Sequence, residues 1–191
     1  MKKVLVVLAL AVISFANAQK GTVLVAGNVS YSSQKSSALG SNPTQNYFIF
    51  SPKVGYQFHD NWTVGGEAGI VAQKYEYVAT QYKLNNYSVG AFVRYSKPLS
   101  DLFSIYADLG TGFNSFKETN SNVSTTFTNK SDGFYATITP ALAMNIKKGF
   151  GLNFAFGGLG YTTRKYDNGN KVNSLNFNFG QSFNMGISKN F

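Results

Sequence analysis

Five side chains of this sequence stand out as candidates to hold an ion or move a proton. Lys53, Glu67, Arg94 and Asp108 each fall on the polar side of a segment in which apolar and polar residues alternate. Successive side chains of a strand point to opposite faces, so residues of one parity share a face. Two cations and two carboxylates brought to one height could form an ion-pair network, or a gate or ion path if water reached them. The fifth is His59, the one histidine of the chain, whose imidazole could serve as a general base. No Gly-rich phosphate loop joins a strand to a helix, and no His, Asp and Glu set has metal-ligand spacing. With no cysteine, thiolate metal sites and disulfides are excluded. No cofactor is implied.

The elements that must position these groups are strands. Leu175, Phe177, Phe179, Phe183, Met185, Ile187 and Phe191 lie on one side of the last segment, with Asn, Ser and Gly residues on the other. Counting such segments predicts eight strands, at about 20–32, 45–58, 62–76, 83–97, 102–115, 132–147, 150–164 and 174–191. The polar connections 33–44, 77–82, 116–131 and 165–173 are long. His59-Asp60-Asn61, Pro98 to Asp101 and Lys148-Gly149 are tight turns. Long and short alternate, as they do when one side of a barrel carries turns and the other carries loops.

Folding the second and third segments about Asp60 pairs Phe58 with Trp62, Tyr56 with Val64 and Val54 with Gly66 on the apolar face. The same register pairs Gln57 with Thr63, Gly55 with Gly65 and Lys53 with Glu67 on the other. A slip of one residue would move these charges to the apolar side. Opposite charges meeting in a register fixed by apolar residues alone supports the pairing. The phase near Gly157-Gly158 is ambiguous, and a bulge is expected there.

The first residues read as an export leader: Lys2 and Lys3, an apolar run from Val4 to Phe15, and Ala16-Asn17-Ala18 as a small-x-small cleavage site. Residues 1–18 are then a cleaved signal peptide and 19–191 one domain. The run is too short to span a bilayer as a helix, which takes roughly 20 apolar residues. The formal net charge of +9 and the many Phe and Tyr residues could suit a base-stacking barrel. An export leader argues against a nucleic-acid partner.

The expected fold is all-β: an eight-stranded antiparallel up-and-down transmembrane β-barrel of the cell outer membrane, both termini periplasmic, with its apolar residues against lipid. An eight-stranded barrel is just wide enough for side chains to fill its interior, so Lys53, Glu67, Arg94 and Asp108 are expected as a lumen ion-pair network rather than a pore. Tyr56, Phe58, Trp62, Phe103, Phe150 and Phe191 are expected in one interfacial girdle, and Tyr31, Tyr47, Tyr75, Tyr82, Tyr87 and Tyr161 in the other. Lys35, Lys117, Lys130, Lys165 and Lys171 lie in the external connections, where they could meet the headgroups of outer-membrane lipid and lipopolysaccharide. Loop 116–131 has too few apolar groups to pack and is expected to be mobile. His59 falls at the rim opposite the outer leaflet, away from any lipid substrate.

The run Ser51-Pro52-Lys53-Val54-Gly55-Tyr56-Gln57-Phe58-His59-Asp60-Asn61-Trp62-Thr63-Val64-Gly65-Gly66 resembles a hairpin of the porin-like outer-membrane β-barrel domain family. Members commonly show a Pro-x-x-Gly-Tyr strand, an Asp-Asn turn and a Val-Gly-Gly strand. Gly186 to Phe191 is similar to the terminal signal read by the barrel-insertion machinery, which makes Phe191 an assembly residue. The resemblance implies a small barrel of the OmpA/OmpX type without a peptidoglycan-binding domain, and implies no substrate. A structural or interaction role through the external loops is the expectation, covering envelope integrity, adhesion or contact with an unknown external ligand. The alternatives are a narrow porin-like solute channel and an outer-membrane lipid-modifying enzyme. A ten-stranded barrel would follow if 116–131 formed an added hairpin.

Overall fold

The computed structural model describes residues 21–37 and 42–191. The expected signal peptide 1–18 lies outside the described residues. Eight strands follow in chain order: β1 Val23–Lys35, β2 Thr44–His59, β3 Trp62–Tyr77, β4 Thr80–Pro98, β5 Phe103–Ser121, β6 Thr126–Asn145, β7 Phe150–Tyr166 and β8 Lys171–Asn190. Each pairs antiparallel with its sequence neighbour, and β8 returns to β1 to close the barrel. Both ends of the described chain lie at one end of the barrel, here the terminal end; the other is the distal end.

The alternation read from the sequence sorts the side chains inside out. Phe177 is 75% exposed and Val89 65%, whereas Asp108 is 4% exposed and Arg94 7%. In water that arrangement would forfeit the hydrophobic gain and desolvate charges for no return. Against hydrocarbon it is the stable one. Closure supplies the other requirement, because lipid offers no partner to an unpaired backbone N–H or C=O.

The β2–β3 ladder carries Tyr56 opposite Val64, Gly55 opposite Gly65 and Lys53 opposite Glu67, in the register expected. At the turn it departs from that register. His59, not Phe58, faces Trp62, with the register shift between Gln57 and His59. A two-residue Asp60-Asn61 turn is the tighter closure, and Phe58 is taken up as a bulge. The expected irregularity in β7 is also present: the pairing shifts between Ile138 and Ala141 and between Ala155 and Gly157. Gly157 has φ +95° and Gly158 φ +158°, and Pro140, which has no N–H to give, sits at the same shift.

Three of the four expected long distal loops are not seen as loops; part of the first, 38–41, lies outside the described residues. β5 continues to Ser121 and β6 starts at Thr126, so most of 116–131 is paired ribbon closed by residues 122–125. The Asn122 Oδ1 accepts from the N–H groups of Ser124 at 3.2 Å and Thr125 at 2.7 Å. The connections 78–79 and 167–170 are also short. Strand beyond the apolar wall needs no apolar face, so its polarity reads as loop. These extensions lengthen existing strands, and the count among the described residues stays at eight rather than ten.

The seam between β1 and β8 is short. It runs from Leu24 opposite Asn190 to Gly27 opposite Ile187, extended by Val23 and Phe191, which exchange backbone hydrogen bonds of 3.1 and 3.0 Å.

One close approach inside the barrel requires glycine. The Phe92 ring, 1% exposed, lies where a Cβ on Gly55 would come within 2.9 Å and one on Gly65 within 2.8 Å of it. A Gly65→Val substitution should therefore keep Phe92 from seating. We expect the fraction recovered folded from urea into detergent micelles, measured by resistance to trypsin, to fall severalfold; recovery equal to wild type would contradict this packing.

Candidate functional site

The four inward charges expected from the sequence meet in the barrel interior. Arg94 donates from Nε to Asp108 Oδ1 at 2.6 Å and from Nη2 to Asp108 Oδ2 at 2.9 Å. Lys53 Nζ lies 3.0 Å from Asp108 Oδ2 and 2.8 Å from Glu67 Oε2. The ladders place these pairs directly opposite one another, Lys53 across from Glu67 and Arg94 across from Asp108. Two positive and two negative groups leave no net charge in a region shielded from water. The paired, bidentate geometry is what lets such groups stay buried and ionised.

Aromatic residues complete the cluster: Phe92 and Tyr106, inward by parity, and Tyr135, which the sequence did not flag. Tyr135 donates its hydroxyl to Glu67 Oε1 at 2.7 Å. The Arg94 guanidinium lies 3.8 Å from the Tyr106 ring centroid, and Lys53 Nζ lies 5.0 Å from that of Phe92. The signal that could have found Tyr135 is glycine: a Cβ on Gly112 would come within 2.9 Å of its ring. Residual space beside the network is a cavity of about 340 Å³, reached by Asn153 from β7. Asn153 Oδ1 is buried without a hydrogen-bond partner.

A second closure lies nearer the distal end. Phe116, 5% exposed, is covered by Arg164, whose guanidinium is 3.7 Å from the ring centroid and 3.7 Å from Glu118 Oε1. Sequence reading placed neither Arg164 nor Glu118 inside. Among the lumen-facing positions are also Tyr47, Tyr75 and Tyr82, expected in the distal girdle. Tyr47 lines a small pocket with Ser32 and Gln73. Tyr75 stands opposite Tyr82 and, across the other ladder, Gln45. Tyr75 is an odd number of residues from outward Trp62, so parity turns it inward. Tyr31 and Tyr87 face outward, 69% and 56% exposed.

The remaining candidates lie at the two rims. His59 is exposed at the terminal-end tip of the β2–β3 hairpin, far along β2 from the distal rim. Phe191 is built into the seam through Val23, and Lys189 Nζ lies 5.3 Å from its ring centroid. Lys35, Lys117, Lys130, Lys165 and Lys171 are exposed at the distal ends of their strands. Beyond the apolar wall, Lys74 at 2.8 Å and Gln81 at 2.5 Å hold the Glu76 carboxyl below its ordinary range through their hydrogen bonds.

Asp108 is the carboxylate with two cationic partners. Asp108→Ala leaves Arg94 buried and unpaired and Lys53 with Glu67 alone, which should cost about 3–5 kcal/mol and lower the thermal midpoint in micelles. The double variant Arg94→Met/Asp108→Leu should recover most of that loss. A single variant that melts with wild type would remove the network from the account.

A closed antiparallel barrel, apolar outside and charged within, defines an integral β-barrel protein of the outer membrane. The chain belongs to the family described as outer membrane protein beta-barrel domain, which it matches over residues 4–184. No curated protein matches it. Among solved structures it is similar to Ail, the attachment invasion locus protein of Yersinia pestis, at 17% identity and TM-score 0.49, with 90% of this chain and 99% of that one covered. It is also similar to the translocator domain of the autotransporter NalP from Neisseria meningitidis, at 14% identity and TM-score 0.49, covering 91% and 64%. A major outer membrane protein from Thermus thermophilus gives 14% identity and TM-score 0.47, covering 92% and 100%.

Proposed function

We propose that this barrel is a plugged membrane anchor that presents the ribbons of its distal end outside the cell, for adhesion, ligand contact or envelope integrity, and that it is neither a solute channel nor an enzyme. The observation that carries this reading is closure of the lumen at two heights, by the Lys53–Glu67–Arg94–Asp108 network and by Phe116 under Arg164. The bidentate Arg94–Asp108 pair narrows the lumen at its height. With the lumen obstructed in this way, the surface left for a specific role is the paired ribbon that runs to Ser121 and Thr126.

The reading includes an orientation. The terminal end faces the periplasm, where Phe191 would be read by the barrel-insertion machinery during assembly, and the distal end faces outward. His59 then lies on the periplasmic side, remote from outer-leaflet lipid, which speaks against its use as a general base on such a substrate.

Because the chain has no cysteine, single cysteines report orientation cleanly. In intact cells, a membrane-impermeant maleimide should label Asn122→Cys and leave Asp60→Cys unlabelled; the reverse pattern would invert the topology. In planar bilayers the purified protein should give no stepwise conductance above background, and resolved single-channel steps would favour the channel. Replacing 119–128 by a two-residue turn should leave insertion intact but lower attachment of cells to glycan- and protein-coated surfaces severalfold. Equal attachment would contradict the ribbon's role.

A further inference from the structure

We infer that the distal half of this barrel is completed by a second copy of the chain, β1 of each copy pairing with β8 of the other. The β1–β8 ladder runs only from Leu24–Asn190 to Gly27–Ile187, whereas β1 itself continues to Lys35 and β8 starts at Lys171. Among the described residues, no strand pairs with β1 from Asn28 to Lys35 on the side away from β2, nor with β8 from Phe183 to Gly186 on the side away from β7. β8 parts from β1 close to where its register against β7 slips, between Asn184 and Phe179, with Gly180 at φ +76°. A bulge bends the strand that carries it. The ring is closed at the height of the charge network, where Ala26 faces both Lys53 and Ser188. Distal to that height it is split.

The split bares polar groups at the height of the apolar wall. Leu24 and Ser188 face inward and are 4% and 9% exposed. Ser30, Ser32 and Asn184 have the same inward parity, yet they are exposed. Asn28 and Asn184, one from each margin, line the cavity beside the network, so the split opens the polar interior sideways. The outward residues of the same stretches are Val29 and Tyr31 on β1 and Phe183 and Met185 on β8, 58% to 69% exposed. These apolar side chains set the split against hydrocarbon, where a free strand edge and bare polar side chains find no water to satisfy them.

The directions of the two margins select a second copy. β1 runs from the terminal to the distal end and β8 runs back. Two copies inserted in the same sense, related by a two-fold axis along the membrane normal, therefore set β1 of one antiparallel to β8 of the other, twice, with both apolar faces toward lipid. A single strand from another protein entering the split would be antiparallel to one margin and parallel to the other. Carried onto the partner, the register of the seam sets Val29 opposite the partner's Met185 and Tyr31 opposite the partner's Phe183 on the lipid face. On the inner face it sets Asn28 opposite the partner's Gly186 and Ser30 opposite the partner's Asn184. Apolar meets apolar outside and polar meets polar or glycine within. The charge network stays in the part of each ring that closes on itself, so pairing leaves the plug in place.

The cysteine-free chain lends itself to a cross-linking test. The full mature chain is refolded into lipid vesicles as a mixture of two single-cysteine forms, Ser30→Cys and Asn184→Cys, one of them tagged, and oxidised. Residues directly opposite on a ladder lie within disulfide reach, so the tagged–untagged dimer should form in about tenfold or greater yield than from a mixture of Val89→Cys and Phe113→Cys, which lie on the wall of β4 and β5. Both cysteines in one chain should give dimers carrying two bridges. Wild-type protein should sediment as a dimer in micelles. If either cysteine prevents folding, Val29→Cys and Met185→Cys, opposed on the lipid face in the same register, take their place with the same expected result. A bridged monomer as the main product of the double variant would mean that the split zips shut within one chain. That result, equal yields from the two mixtures, or a wild-type chain that sediments only as a monomer would each overturn the inference. None of these readouts depends on which end faces out of the cell, so they are separable from the orientation read by maleimide labelling.

Discussion

Every feature of this protein follows from the absence of water outside it. A chain embedded in hydrocarbon must satisfy its backbone hydrogen bonds internally, and among strands only a closed ladder does so. Closure then fixes the rest. Alternate residues must be apolar because they touch lipid, and the intervening ones share a narrow interior in which any charge must find a partner. The short β1–β8 seam, from Leu24–Asn190 to Gly27–Ile187 and capped by Val23 and Phe191, completes the ring.

The interior answers the constraint by neutrality and geometry together. Arg94 grips Asp108 through two nitrogens, Lys53 bridges Asp108 and Glu67, and Tyr135 takes the remaining oxygen of Glu67. Phe92 and Tyr106 supply ring faces to the cations. A network satisfied on every side rigidifies the barrel, whereas one missing member leaves a buried charge whose cost exceeds what the intact pair contributed. The same residues that hold the strands together thereby occupy the space a solute would need.

Much of this was legible in the sequence because lipid enforces parity. The register that brings Lys53 to Glu67 follows from Tyr56, Val64 and Val54 alone, and the structure keeps it. Parity also placed Arg94 and Asp108 inside. Parity put Phe92 and Tyr106 inside as well; Tyr135, of inward parity on its strand, was passed over because Gly90 and Gly112, which make room for its ring, were not counted, and Phe116 because it fell in a segment read as loop. Tyr47, Tyr75 and Tyr82 were misplaced for another reason, since position near a strand end was weighed above parity. The ribbon of β5 and β6 was read as loop because no face of it touches lipid, so the apolar signal that marks a strand disappears where the bilayer ends. At Phe58 a bulge absorbs one residue that a strict alternation would have paired.

The central claim is that odd-numbered residues of β5 touch hydrocarbon while even-numbered ones face a sealed interior. Single cysteines placed in turn at residues 105 to 113, spin-labelled in lipid vesicles and read for collision with oxygen dissolved in the bilayer, measure this directly. The account gives high accessibility at 105, 107, 109, 111 and 113 and low accessibility at the positions between, a period of two along the strand. Uniform accessibility, or high values at Tyr106 and Asp108, would contradict it.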